Sequence, residues 1–454
     1  MSLQTLRKQL HLKEVSSREL VTQTFEKIKE NHELNAFITL CEKEALEAAD
    51  HFDKNSTASS GALAGIPIAL KDAFSTKDIR TTAGSLVLDE YIPPYDASVV
   101  KRLKWAGAII VGKTNMDAWA HGSSGENSDY GPTKNPHDLA RIAGGSSSGS
   151  AAAVAAGIVP MATGTDTGGS VRLPASFCGV VGLKPTYGRV SRYGIVAMGS
   201  SFDSIGHFTT TVHDSAAVLS VTAGHDFHDA TSSSSVPVPD YTEWVGKSVK
   251  GLRVGLITDF LKEGIDPQIK VKVLQTAKEL EKAGCIVEEV SLPHVEYAMA
   301  CYYILVPAEV SSNLARYDGV RFGAGREAFA DEAKRRIMTG TFTLSSGYYD
   351  AYYHKATQVR QLIKQDFENA FEACDVLLGP TSPTTAFKLG EKTADPLAMY
   401  LSDVYVCPMN LAGVPALSIP AGTVDSLPVG VQVVAPQYRE ELLFQVGSKI
   451  EKMT

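Results

Sequence analysis

The chain opens with polar and apolar positions arranged at helical spacing. In Ser16-Ser17-Arg18-Glu19 a hydroxyl and a carboxylate three residues apart form a capping box, and Leu20, Val21, Phe25 and Ile28 follow on one stripe. Residues 1–60 read as a helical N-terminal arm. Beyond it, short apolar runs alternate with amphipathic ones. Residues 66–70 read as a strand, 97–105 as a helix, 108–111 as a strand and the stretch from Met116 as a helix. The Ala-rich run 151–156 reads as a buried helix inside the Gly/Ser-dense segment 140–206. Further on, 252–256 and 285–290 read as strands around a helix at 267–283. A helix at 348–372 precedes buried strands at 376–378, 416–419 and 429–434, and a last helix runs from Arg439. This is the rhythm of an α/β fold with helices covering a sheet. The best candidate for an exposed excursion is 228–247, and no internal repeat interrupts residues 61–454, which read as one core.

Composition narrows the function classes. The 454 residues, 44% hydrophobic and 21% charged, suit a globular chain able to bury a large core. A net charge of −8 lacks the broad positive field of a nucleic-acid binder, so any nucleic acid would be held mainly by a partner. The six cysteines are scattered, without C-x-x-C or a nearby histidine, which points away from a metal site and toward buried thiols in a reducing compartment. No apolar run approaches the roughly 20 residues a bilayer requires. A cytoplasmic location is expected, with the mitochondrial matrix or a plastid as alternatives.

One motif invites a nucleotide-binding reading. Gly107-Ala-Ile-Ile-Val-Gly112-Lys113-Thr114 satisfies G-x-x-x-x-G-K-[ST]. A working P-loop needs its strand before the first glycine and a curled loop between the glycines. Here the intervening residues are Ala-Ile-Ile-Val, the most strand-like of the neighbourhood, and β-branched residues resist curling into an anion nest. The motif reads as helix end, strand and loop.

Acyl-transfer chemistry is better supported by 144–172, GGSSSGSAAAVAAGIVPMATGTDTGGSVR. Two Gly/Ser loops flank an apolar helix. The second ends on Ser170, placed to attack a carbonyl while the backbone N–H groups of Thr167, Gly168, Gly169 and Ser170 hold the developing oxyanion. A serine needs a base, and no G-x-S-x-G elbow with a histidine partner surrounds it. Lys71, emerging from the apolar run 65–70, offers an amine whose pKa burial would depress toward neutrality.

The set Lys71, Ser146 and Ser170, with the text GTDTGGSVRLPASFCGVVGLKPTYGRVS around the last, resembles the amidase signature family and its Ser–cis-Ser–Lys triad. GKTNMD at 112–117, RRIMTGTFTLSSGYYDAYY at 335–353 and the tract 395–422 are similar to the glutaminase subunits of tRNA-dependent amidotransferases within that family. The resemblance implies a single α/β/α sandwich on a large mixed sheet. It implies Ser170 as nucleophile, Ser146 as relay on a non-proline cis peptide, Lys71 as ultimate base and glutamine as substrate. Arg336 and Asp403 match positions that hold the glutamine α-carboxylate and α-ammonium, with Tyr302 a nearby contact. No cofactor is implied for this chain; a partner B subunit would bind the tRNA and use ATP with Mg²⁺ to amidate Glu-tRNA(Gln) or Asp-tRNA(Asn), and a C subunit would tie the two together. The competing readings are a stand-alone amidase and a catalytically silent subunit. His121 and His207 stand where apolar residues or proline are expected, and read as structural histidines.

Overall fold

The computed structural model describes residues 2–55, 61–321 and 323–453. Its strands, in chain order, are β1 (Phe37–Leu40), β2 (Pro67–Lys71), β3 (Ile109–Thr114), β4 (Lys134–Asn135), β5 (Asp138–Ile142), β6 (Met161–Asp166), β7 (Val181–Lys184), β8 (Ser204–Thr209), β9 (Arg253–Ile257), β10 (Ile286–Val290), β11 (Val376–Pro380), β12 (Ala416–Val424) and β13 (Leu427–Val434). Strands β4 and β5 make a small ribbon; the others join one mixed sheet in the order β1-β3-β2-β6-β8-β7-β12-β13-β11-β9-β10.

Both faces of this sheet are buried, and the pleat shows it residue by residue. Ile68, Leu70, Ile110 and Met161 enter one apolar core, while Ala69, Ile109, Val111 and Ala162 enter a second on the opposite face. The second core is closed by the small side chains Ala151–Val154 of the helix Ser148–Ala155, which lets that helix lie close on the sheet. The first is covered by helices such as Pro267–Lys282, whose Ile269, Val273, Ala277 and Leu280 recur at helical spacing. The result is the expected α/β/α sandwich.

Strands β2, β3 and β6 run parallel, with β2 between the other two. Their C-terminal ends present Lys71, Thr114 and Asp166 along one sheet edge, where open α/β sheets place their ligands.

Several expectations are refined. The capping box forms as read, with Ser16 and Glu19 satisfying each other's backbone donors. The arm read over 1–60, of which residues 1 and 56–60 lie outside the described residues, is not purely helical, however: β1 pairs antiparallel with β3 and supplies an edge of the main sheet. No helix starts at Met116; the chain makes a single 3₁₀ turn, Ala118–Ala120, in which Trp119 and Ala120 take left-handed backbone angles. The reason is Asp117, whose carboxylate accepts the N–H groups of Gly125 and Asn127 at 3.0 and 2.8 Å and curls the chain into a loop. The 228–247 excursion is anchored by Tyr241, fully buried, whose hydroxyl accepts a bond from Arg189 at 2.7 Å. No helix of the described residues is long and apolar enough to cross a membrane.

Candidate active site

Lys71 is the last residue of β2, and no part of it reaches solvent. Its Nζ donates to Ser146 Oγ at 2.8 Å, Ser147 Oγ at 2.9 Å and Thr165 Oγ1 at 2.8 Å, so all three ammonium protons are placed. Burial pulls this amine down to about 7, against the pull of the Asp117, Asp166 and Asp203 carboxylates. None of those carboxylates bonds to it directly, and the shell it touches is made of hydroxyls. A lysine held this way can exchange a proton with Ser146 near neutral pH.

Ser146 follows a cis Gly145–Ser146 peptide. The turn fits because Gly145 has no side chain: a Cβ there would lie 1.9 Å from Asp117 Oδ2. Asp117 thus shapes both its own loop and the approach to Ser146, whose carbonyl accepts the Asp117 N–H at 3.2 Å. The Ser148 hydroxyl, next in the loop GGSSSGS, donates to Thr133 at 3.0 Å.

Ser170 closes the next loop and keeps slight exposure. Its carbonyl accepts the Ser147 N–H at 3.3 Å, which ties the two serine loops together; the Ser146 and Ser170 hydroxyls do not bond directly. The loop is held from below by Asp166. That carboxylate accepts the N–H of Gly169 at 2.9 Å and of Val171 at 3.2 Å, and pairs with Arg172 at 3.1 Å with both side chains fully buried. Burial alone would raise the Asp166 pKa, but Arg172 and the Asn410 amide hold it down to about 2. Arg172 is itself fixed by Gln432, Asn410 and the Val406 carbonyl.

This clamp engages one of the N–H groups expected to meet an oxyanion. The Gly169 N–H already serves Asp166, whereas those of Thr167, Gly168 and Ser170 meet no acceptor among the described residues. Thr167 is oriented by its hydroxyl, which donates to Asp203 at 2.7 Å. Gly168 lies under Tyr302, whose ring and hydroxyl would sit 2.4 Å from any Cβ placed there. Tyr302 is therefore a wall against the loop as well as a candidate substrate contact.

Arg336 and Asp403 lie together across the site, linked through Tyr303. The Tyr303 hydroxyl donates to Asp403 at 3.1 Å, and the Arg336 guanidinium stands over the Tyr303 ring at 5.4 Å. Ser123 also donates to Asp403, at 2.6 Å, and burial pushes the carboxyl up to about 6 against these bonds. Arg336 is almost fully buried, and its Nε donates to Glu332 at 2.8 Å, leaving the two terminal nitrogens for a ligand. Tyr303, Ser123 and Glu332 escaped the sequence reading. The pair Tyr302-Tyr303 was a signal, since adjacent tyrosines within an otherwise apolar helix have hydroxyls to place.

Lys113 behaves as a structural lysine. Its N–H groups donate to the Phe74 carbonyl and Thr81 hydroxyl, both at 2.7 Å, and it pairs with Asp72 at 3.2 Å, fully buried. The Ile-Val wildcards of the P-loop pattern lie inside β3, paired between β1 and β2. His207 is a satisfied structural histidine, its Nε2 2.8 Å from the Ser215 hydroxyl. His121 departs from that expectation: both ring nitrogens are buried and meet no protein partner. All six cysteines are free and buried.

A sheet of this order, carrying a buried lysine bonded to a serine that follows a cis peptide, beside a second Gly/Ser loop, defines a class. The family model that matches, named Amidase, covers residues 19–444, and the chain belongs to that family. Within it the chain is 52% identical to the glutamyl-tRNA(Gln) amidotransferase A subunit of Cyanothece sp., covering 100% of this chain and 98% of that protein. It is 51% identical to the protein of the same name from Geobacillus kaustophilus, covering 100% and 97%. The crystal structure of the glutamyl-tRNA(Gln) amidotransferase A subunit from Thermotoga maritima superposes with a TM-score of 0.86 at 42% identity, over 100% of this chain and 94% of that one.

Proposed function

We propose that this chain is the glutamine-hydrolysing A subunit of a tRNA-dependent amidotransferase. The observation that carries the reading is the buried Lys71 amine, tuned near neutrality and held 2.8 Å from the Ser146 hydroxyl beside the Ser170 loop. The neutral amine accepts the Ser146 proton as Ser146 takes that of Ser170, and Ser170 Oγ attacks the side-chain amide carbon of glutamine. The oxyanion is met by the free N–H groups of Thr167, Gly168 and Ser170. The proton returns by the same route to the leaving nitrogen; the C–N bond breaks, releasing ammonia and leaving a glutamyl ester on Ser170. Water, deprotonated along the same relay, then frees glutamate.

Arg336 grips the α-carboxylate of glutamine and Asp403 the α-ammonium, one fixed charge for each end of the zwitterion. Ammonia passes to a B subunit that binds the charged tRNA and consumes ATP with Mg²⁺, a C subunit joins the assembly, and this chain itself binds no cofactor. The work takes place in the cytoplasm. The test is Ser170→Ala in the assembled complex: glutamine hydrolysis falls to background while amidation with added ammonium salt continues. Loss of both activities contradicts the division of labour, and retained hydrolysis contradicts the nucleophile.

A further inference from the structure

Buried side-chain polar atoms without a protein partner are few among the described residues, and one short loop holds a disproportionate share. They are the Trp119 indole nitrogen, both ring nitrogens of His121 and Glu126 Oε2. The same loop carries Ser123, the hydrogen-bond donor to Asp403. It also faces the start of the helix Asp331–Thr343, which bears Arg336, across a cavity of about 270 Å³ lined by Ala118, Glu126, Asp129 and Asp331. The loop thus bonds to Asp403 and lies beside the first turn of the helix that carries Arg336.

His121 is the residue within it that stands out. It is 1% exposed, and the Asn127 side chain donates to its carbonyl at 2.9 Å, so the backbone is anchored while the ring is not. A neutral imidazole always has one N–H to donate and one lone pair to satisfy, and an apolar side chain at this depth has neither. Burial, and then the charge of nearby Arg336, keep the ring neutral. Arg336 offers only its two terminal nitrogens, because Nε serves Glu332. A carboxylate gripped by those two retains lone pairs for a further neutral donor.

We infer that His121 is a binding residue for the amino-acid substrate, its ring N–H donating to the α-carboxylate that Arg336 holds. This rests on the glutaminase reading. In place of an apolar contact, the chain has a hydrogen bond that selects for a free α-carboxylate. A neutral donor is suited to the task, since a second cation beside Arg336 would be repelled by it.

The test uses glutamine hydrolysis by the assembled complex, with 4-aminobutanamide, which lacks the α-carboxylate, as comparison substrate or competitive inhibitor. His121→Met keeps the volume and removes the donor. Its KM for glutamine rises roughly tenfold or more, as expected for one hydrogen bond to a charged group, with kcat changed by less than about twofold. The constant for 4-aminobutanamide stays where it was. His121→Gln, which keeps a donor, recovers most of the glutamine KM, and it carries the test if His121→Met does not assemble. An unchanged glutamine KM in His121→Met overturns the inference, as does an equal loss for both compounds or a failure of Gln to rescue. If the native complex hydrolyses no glutamine, the proposed function itself fails, a result separate from any of these.

Discussion

Lys71 concentrates the chemistry into one titration. In the proposed relay the active form is the neutral amine, so glutamine hydrolysis, followed as kcat/KM against pH, is expected to fall as pH drops through about 7 and to level off above it. Lys71→Arg, cationic at every accessible pH, removes the limb together with the activity, a loss of roughly a hundredfold or more. The stability consequence has a defined sign. The folded state gives up this proton near 7 and the unfolded chain only near the ordinary lysine value of 10.5, so the unfolded state binds more protons between them. This group makes stability rise with pH across that window, and its unfavourable contribution is full below about 7. Lys71 was legible as a candidate because an apolar run precedes it. What separates it physically from Lys113, equally buried at the end of a neighbouring strand, is the partner set: one meets hydroxyls, the other the Asp72 carboxylate. Those partners lie far away in sequence.

At the scale of elements, the Asp166–Arg172 clamp holds the Ser170 loop in shape. Arg172→Met leaves a buried carboxylate whose main counter-charge is gone, and breaking such a pair by removing one partner destabilises by about 3–5 kcal/mol. The expected outcome is a clearly lower thermal midpoint together with reduced kcat, since the Gly169 and Val171 N–H groups lose a fixed acceptor. A variant that melts normally and hydrolyses glutamine normally removes the clamp from the account. Elements with strong periodicity, such as Pro267–Lys282 and β9 to β11, could be read directly. The stretch from Met116 could not, because Asp117 withdraws it from helix by bonding to residues eight and ten positions later. Strand β6 was hidden by its polar letters, Thr-Gly-Thr-Asp; those side chains find partners only once the site has assembled.

For the whole molecule, the N-terminal arm is part of the scaffold. Deleting residues 1–41 would strip β1 from β3, leaving the edge at Gly112–Thr114 unpaired, and remove Phe25 and Ile28 from the second core. Such an edge templates association between chains, so the truncated chain should sediment as aggregate where the full chain does not. A discrete, folded truncated species would mean that the arm is dispensable. The family and the fold class were written in the sequence, since the alternation of apolar and amphipathic runs dictates a covered sheet, and the text around Lys71, Ser146 and Ser170 resembles the amidase family to which the chain belongs. The tertiary structure alone decided which N–H groups of the Ser170 loop are left without an acceptor among the described residues, which tyrosine links Arg336 to Asp403, and that His121 is buried without a protein partner. Periodicity is a property of neighbours along the chain, whereas hydrogen-bond satisfaction and desolvation depend on groups that only folding brings together.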